Sequence, residues 1–293
     1  MDTLIRGNSM DGAIRVFSAV TTDLVNEAHK IHSTYPVATA AIGRLLTGAA
    51  LMGAMLKNEE DSVTLQIRAD GPLGTLVAVT DSHSRVRGYV GNPFVDRPLN
   101  EKGKLDVGGG VGQGTLCVIR DLGLKEPYVG QVPLVSGEIA EDLTAYFAAS
   151  EQTPTAVALG VLVDTDNTAI AAGGFIVQMM PGSTDEMAEK LEKALNDLPP
   201  VTTMIHEGMT AEDILFKVTE GFDMMVDNNH VHPEYKCKCS HERMEEALIS
   251  IGKQELQDII NEQGKAELSC HFCNNSYTFS KEELEGLLAQ AKG

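Results

Sequence analysis

Basic side chains are scarce in this chain: 23 lysines and arginines face 42 acids over 293 residues, for a net charge of −19. Phosphate backbones and anionic membrane surfaces repel such a chain, so neither is an expected partner. No run reaches the 18 or so uninterrupted apolar residues of a membrane span. The N-terminal segment, MDTLIRGNSMDGAIRVF, lacks the basic-then-apolar pattern of a signal peptide, and a cytoplasmic location is expected. Fixed-period repeats and low-complexity runs are missing. So are a GxSxG element and any evident acid–base pair, so an enzyme is not expected. Cysteine is rare over most of the length: only Cys117 precedes residue 237.

What is present suits a folded protein. Apolar residues make up 43% of the chain and charged residues 22%, which permits a sizeable core. In residues 1–180, IRVFSAV (14–20) reads as a strand and residues 23–32 as a helix. Pro36 then opens PVATAAIGRLLTGAALMGAMLK, a helix apolar nearly all round and rich in small residues, which should be buried. From 63 to 135 the period changes to two, with strands at VTLQIRA, GTLVAVTD, VRGYVG, TLCVIRDLG and YVGQVPLV. A helix near IAEDLTAYFAASEQ and strands AVALGVLVDT and AIAAGGFIVQMM follow. The fold class is α+β with a largely antiparallel sheet. Gly108-Gly109-Gly110-Val-Gly112-Gln-Gly114 precedes a strand, not a helix, so it reads as a flexible turn rather than a phosphate loop.

Residues 181–230 read as a helical linker, acidic and repeatedly interrupted. Ser183 with Glu186 marks one helix start and Thr210 with Asp213 another. Helices this short must lean on a neighbour to stay folded. Residues 231–293 read as a small module. Ser240 and Ser280 begin helices, KQELQDIINEQ forms a third, and AELSCHFCNNSYTF looks like a hairpin around a metal knuckle.

That module carries Cys237-Lys-Cys239 and, thirty residues later, Cys270-His-Phe-Cys273. Two tight turns presenting two sulfurs each suit one tetrahedral Zn2+ ion. Inert buried thiols, structural disulfides and an iron–sulfur cluster are the competing readings. His232, His241 and His271 are candidate substitute ligands, although four sulfurs already complete a site. A module of some 60 residues has a marginal core, so a metal would contribute heavily to its folding. Tetrahedral zinc holds sulfurs about 3.8 Å apart, whereas a disulfide needs about 2.05 Å. A sulfur pair cannot do both, so an oxidant that couples the thiols would expel the metal.

The CxC…CxxC tail resembles that of the redox-regulated 33 kDa heat-shock chaperonin family. So do Tyr35-Pro36-Val37-Ala38 with Gly43-Arg44-Leu45-Leu46, Asp70-Gly71-Pro72-Leu73-Gly74, Gly88-Tyr89-Val90, Pro127-Tyr128-Val129-Gly130, Ser150-Glu151-Gln152 and Ala172-Gly173-Gly174-Phe175 with Gln178. The resemblance runs through nearly the whole chain. It implies a core (1–180), a helical linker (181–230) and a zinc-binding redox-switch domain (231–293). It implies an inactive, reduced form holding Zn2+ on Cys237, Cys239, Cys270 and Cys273. Oxidation would then form Cys237–Cys239 and Cys270–Cys273 disulfides, release zinc, loosen the linker and yield a homodimer. That form would hold unfolding client proteins without ATP. A zinc-ribbon nucleic-acid binder is the alternative reading, and it predicts a basic face that the acidic 181–230 segment does not supply.

Overall fold

Pro36 opens an 18-residue helix, as its fixed φ and missing N–H favour at a first turn. Apolar on every side, this helix needs cover all round, and the computed structural model, which describes residues 1–291, shows what supplies it. Numbered along the chain, the first elements are β1 (Thr3–Ser9), β2 (Ile14–Val20), α1 (Thr22–His32), α2 (Pro36–Gly53), β3 (Ser62–Ala69), β4 (Leu76–Asp81) and β5 (Arg85–Val90). There follow α3 (Val107–Val111), β6 (Gly114–Asp121), β7 (Tyr128–Pro133), α4 (Ala140–Ser150), β8 (Thr155–Val163) and β9 (Ala169–Met179). Then come α5 (Asp185–Asn196), α6 (Val201–His206), α7 (Ala211–Val218), β10 (Met224–Val226) and β11 (Glu234–Tyr235). All of these lie in one compact unit, Met1–Lys236; a second begins at Cys237.

The architecture is α+β, but the first unit holds two sheets where the sequence suggested one. One sheet runs β10-β1-β2-β9-β8 and the other β11-β5-β4-β3-β6-β7. Every pairing is antiparallel except the two-residue β11–β5 edge pair. α2 packs against strands of both sheets, which accounts for the second one: a helix with no polar face must be enclosed. Its small residues permit this. A Cβ on Gly53 would stand 2.6 Å from the Asp81 carbonyl oxygen, and one on Gly43 would stand 2.8 Å from a Val25 methyl. α2 passes a length-and-composition test for a membrane span, yet 89% of it is buried inside the protein.

The far face of the five-stranded sheet is covered by α5, α6 and α7. Leu191, Val201, Met204, Ile214 and Leu215 meet Ile5, Ile14, Val16 and Val177 there. The helices of 181–218 thus lean on the sheet, as their length requires. α5 is capped by Thr184, whose hydroxyl accepts from Met187 N, not by Ser183. α7 has the expected box, with Thr210 and Asp213 bonding reciprocally. The glycine run is a correction. Gly108, Gly109 and Gly110 lie in α3 rather than in a flexible turn, because Asp106 caps Gly109 N at 3.0 Å and Arg97 grips the same carboxylate through Nε and Nη2; Gly112 ends the helix and Gly114 opens β6.

Segment 231–236 is bound to the first unit. Leu4 and Val231 form a bridge, Lys236 N donates to the Val86 carbonyl at 2.7 Å, and the Tyr235 hydroxyl donates to the Gly88 carbonyl at 2.7 Å. His32 Nε2 lies 3.2 Å from that hydroxyl.

The second unit contains α8 (His241–Ser250), α9 (Lys253–Glu262), β12 (Lys265–Ser269), β13 (Ser276–Ser280) and α10 (Lys281–Leu288). Ser240 and Ser280 cap α8 and α10. The core is small: Leu248, Leu256, Ile260, Ala266, Phe279, Leu284 and Leu287.

Candidate metal centre

β12 and β13 pair in register from Lys265 opposite Ser280 to Ser269 opposite Ser276. The connection between them is the expected knuckle. Cys270 N donates to the Asn275 carbonyl at 2.9 Å, and the Cys270 carbonyl accepts from Cys273 N at 3.3 Å and from Asn274 N at 2.8 Å. Asn274 takes a left-handed φ of 58°, a conformation asparagine tolerates better than most residues. This closed turn brings the Cys270 and Cys273 thiols to one side. Cys237 and Cys239 stand at the start of the same unit, two residues apart.

The four sulfurs all lie within 4.8 Å of one another. Cys237 Sγ is 3.6 Å from Cys270 Sγ, and Cys239 Sγ is 3.3 Å from Cys273 Sγ. Spacings near 3.8 Å are what tetrahedral metal–thiolate bonds of about 2.3 Å require. Cys270 is buried and the other three half-buried. The donor set is four soft sulfurs, all able to ionise, and it can hold a metal ion.

The thiols perturb one another. Burial pushes Cys237 up, and hydrogen bonds with neighbouring thiols add to the rise. Cys273 rises for the same two reasons. Burial also raises Cys239, but the Tyr277 hydroxyl and the neighbouring thiols outweigh it and bring Cys239 below its ordinary value. Tyr277 in turn is pushed up to about 12, chiefly by its bond to Cys239. Negative charge therefore collects first on Cys239 and resists spreading to Cys237 and Cys273, and a bound cation relieves that repulsion.

None of the three candidate histidines joins the cluster. His232 lies in the first unit, with Nδ1 donating to the Asp2 carbonyl at 2.9 Å. His241 Nδ1 is 3.2 Å from Glu245 Oε1, and its ring packs 4.4 Å from that of Phe279. His271 is exposed in the knuckle, outside the sulfur set. Lys236 lies 3.3 Å from Glu234. The sequence reading missed Tyr277. Its signal was an aromatic seven residues beyond Cys270 on the returning strand of a hairpin already expected.

Fold and site together define a two-unit α+β protein whose smaller unit carries a four-thiol, metal-competent centre. The Hsp33 protein family matches residues 2–280. The 33 kDa chaperonin of Clostridium beijerinckii is 51% identical over 292 residues, covering 99% of each chain. That of Ruminiclostridium cellulolyticum is 51% identical over 289 residues, covering 99% of this chain and 98% of the relative. A crystal structure of the 33 kDa chaperonin (heat shock protein 33 homolog) of Thermotoga maritima superposes with a TM-score of 0.89 at 43% identity, over 98% of both chains. The chain belongs to the Hsp33 family, a family of chaperones.

Proposed function

We propose that this protein is an ATP-independent, non-enzymatic holdase, kept inactive by zinc and switched on by oxidation. The observation that carries the reading is the gathering of four sulfurs within 4.8 Å of one another on a unit with a small core. Cys237, Cys239, Cys270 and Cys273 would hold one Zn2+ in the reduced form. The ion would tie the 237–239 segment to the hairpin knuckle and so hold the second unit folded.

Oxidation removes that tie. We assign the disulfides to Cys237–Cys239 and Cys270–Cys273. For each pair, two thiolates lose two electrons and form one S–S bond. A peroxide takes those electrons with two protons and leaves as two waters. Sulfurs bonded at about 2.05 Å no longer offer the lone pairs or the spacing of a tetrahedral site.

The functional division is a core of residues 1–180, a linker of 181–230 and a switch of 231–293. The linker helices cover the apolar face built on Ile5, Ile14, Val16 and Val177. Loosening them would expose that surface to unfolding clients. The oxidised form would act as a homodimer in the cytoplasm, with no nucleic-acid or membrane partner.

The test pairs metal release with client protection. Peroxide with mild heat should release one zinc per chain to a chromogenic chelator. Under the same treatment, light scattering from a denaturing client should fall. Equal protection by the reduced, zinc-loaded chain would refute the switch.

A further inference from the structure

A cleft of about 470 Å³ opens beside the β1–β2 pair, and its chemistry runs against that of the chain. Cross-strand register places Arg6 opposite Phe17 and Asn8 opposite Arg15, so all four reach one face of the pair. The turn after α2 supplies the facing wall with Met55, Leu56 and Lys57. Three bases thus line the cleft, and Asp227 is the acid among the lining residues. In a protein of net charge −19 this is a local inversion of sign.

The bases differ in how far they are already used. Arg6 is paired with Asp227 through Nε at 2.8 Å and Nη2 at 2.7 Å. Arg15 donates from Nη2 to Gln178 at 2.7 Å, while its buried Nε meets no acceptor among the described residues. Its guanidinium lies 5.5 Å from the centroid of the Phe17 ring. Lys57 is exposed. Lys57 thus meets no acid in the lining, Arg15 is offset in part by Glu151 outside it, and both stand beside an apolar wall of Met55 and Leu56, with Phe17 buried beneath Arg15. A smaller hollow of about 180 Å³ shares Arg6 and Leu56 and extends the apolar part toward Val231.

We propose that this cleft binds an amphiphilic organic anion, a carboxylate or phosphate monoester on a short apolar body. The head would take hydrogen bonds from Arg15 and charge from Lys57. The body would lie along Met55 and Leu56. Neither part suffices alone: an exposed lysine holds a free anion weakly, and an apolar wall of this size has no preference for charge.

Calorimetric titration of the full reduced chain with octyl phosphate, octanoate, octanol and inorganic phosphate tests this. Both amphiphilic anions should bind at least about tenfold more tightly than octanol and than inorganic phosphate. A preference for octyl phosphate assigns a phosphate ester as the ligand, and one for octanoate assigns a carboxylate. Lys57→Glu, a surface change that leaves folding intact, should weaken both by about tenfold or more. The Met55 methyl signal in the NMR spectrum, identified by its loss in Met55→Leu, should shift on binding. No binding at millimolar anion, equal binding of octanol, an unchanged Lys57→Glu affinity or an unmoved Met55 signal would each overturn the proposal.

Discussion

The hydroxyl of Tyr277 donates to the Cys239 thiol at 3.1 Å. A group of this kind, one bond out from a ligand, fixes where the ligand points and steadies its charge. Tyr277→Phe keeps the ring in β13 and removes that donor alone. We expect metal affinity to fall by about 10–100-fold while the hairpin persists. Competition against a chelator of known affinity gives the number, and an unchanged affinity would show that the hydroxyl is a bystander.

Cys270→Ser removes the one buried thiol of the four-sulfur cluster. The second unit should lose its capacity to hold a metal and much of its structure, because only seven fully buried apolar residues among those described form the centre of its core. The first unit should remain folded. The chain has no tryptophan and six tyrosines, of which Tyr277 alone lies in the second unit. Near-UV circular dichroism therefore reports mainly the first unit, and its thermal transition should be unaltered. Collapse of the near-UV signal in this variant would mean that the units do not fold separately.

The two cysteine pairs were legible in sequence because each sits within one turn, where spacing alone fixes proximity. The helix starts at Thr210, with Asp213 three residues on, and at Ser280 were legible for the same reason. What escaped depends on distant partners. β1 reads poorly as a strand because Arg6, Gly7 and Asn8 are weak strand formers, yet β2 and β10 pair on either side of it. α6 begins with Pro200 as its N-cap, and its Val201 and Met204 bury against the sheet. β11 is two residues long and exists only because β5 offers an edge. The second sheet was hidden because a strand pattern gives a period and no partner.

Asp2 supplies a pH dependence that can be isolated. Its carboxylate accepts from Asp23 N at 3.0 Å and Leu24 N at 2.7 Å, serving α1, whose N-cap Thr21 makes no side-chain cap. Burial raises it from 3.8 to about 6, against the pull of those two N–H groups. The folded state thus holds the proton more tightly than the unfolded chain. The contribution to stability is fully present below about pH 3.8 and is lost as pH rises through about 6. Its full size is on the order of 3 kcal/mol. Asp2→Asn keeps an acceptor oxygen and cannot titrate. Relative to that variant, the parent should gain stability between pH 7 and pH 4.5 in urea titrations followed by the near-UV signal. Parallel stability curves for the two proteins would remove Asp2 from the account.

Tyr235 stands two residues ahead of Cys237, where its side chain anchors the end of the first unit. Its hydroxyl reaches the Gly88 carbonyl and lies beside His32 Nε2, while Lys236 N is tied to Val86. Tyr235→Phe preserves the ring and deletes the hydroxyl, leaving the buried Gly88 carbonyl and His32 with one partner fewer. A loss of about 1 kcal/mol is the ordinary scale for such a bond. It should be spent locally, because β11 is a two-residue edge with little else to hold it. Hydrogen exchange at the Lys236 amide should therefore quicken by about fivefold, while amides of β3 and β6 in the middle of the same sheet stay protected. If exchange quickens equally across the sheet, the segment opens only with the whole unit. In that case Tyr235 is part of the core rather than a separable latch.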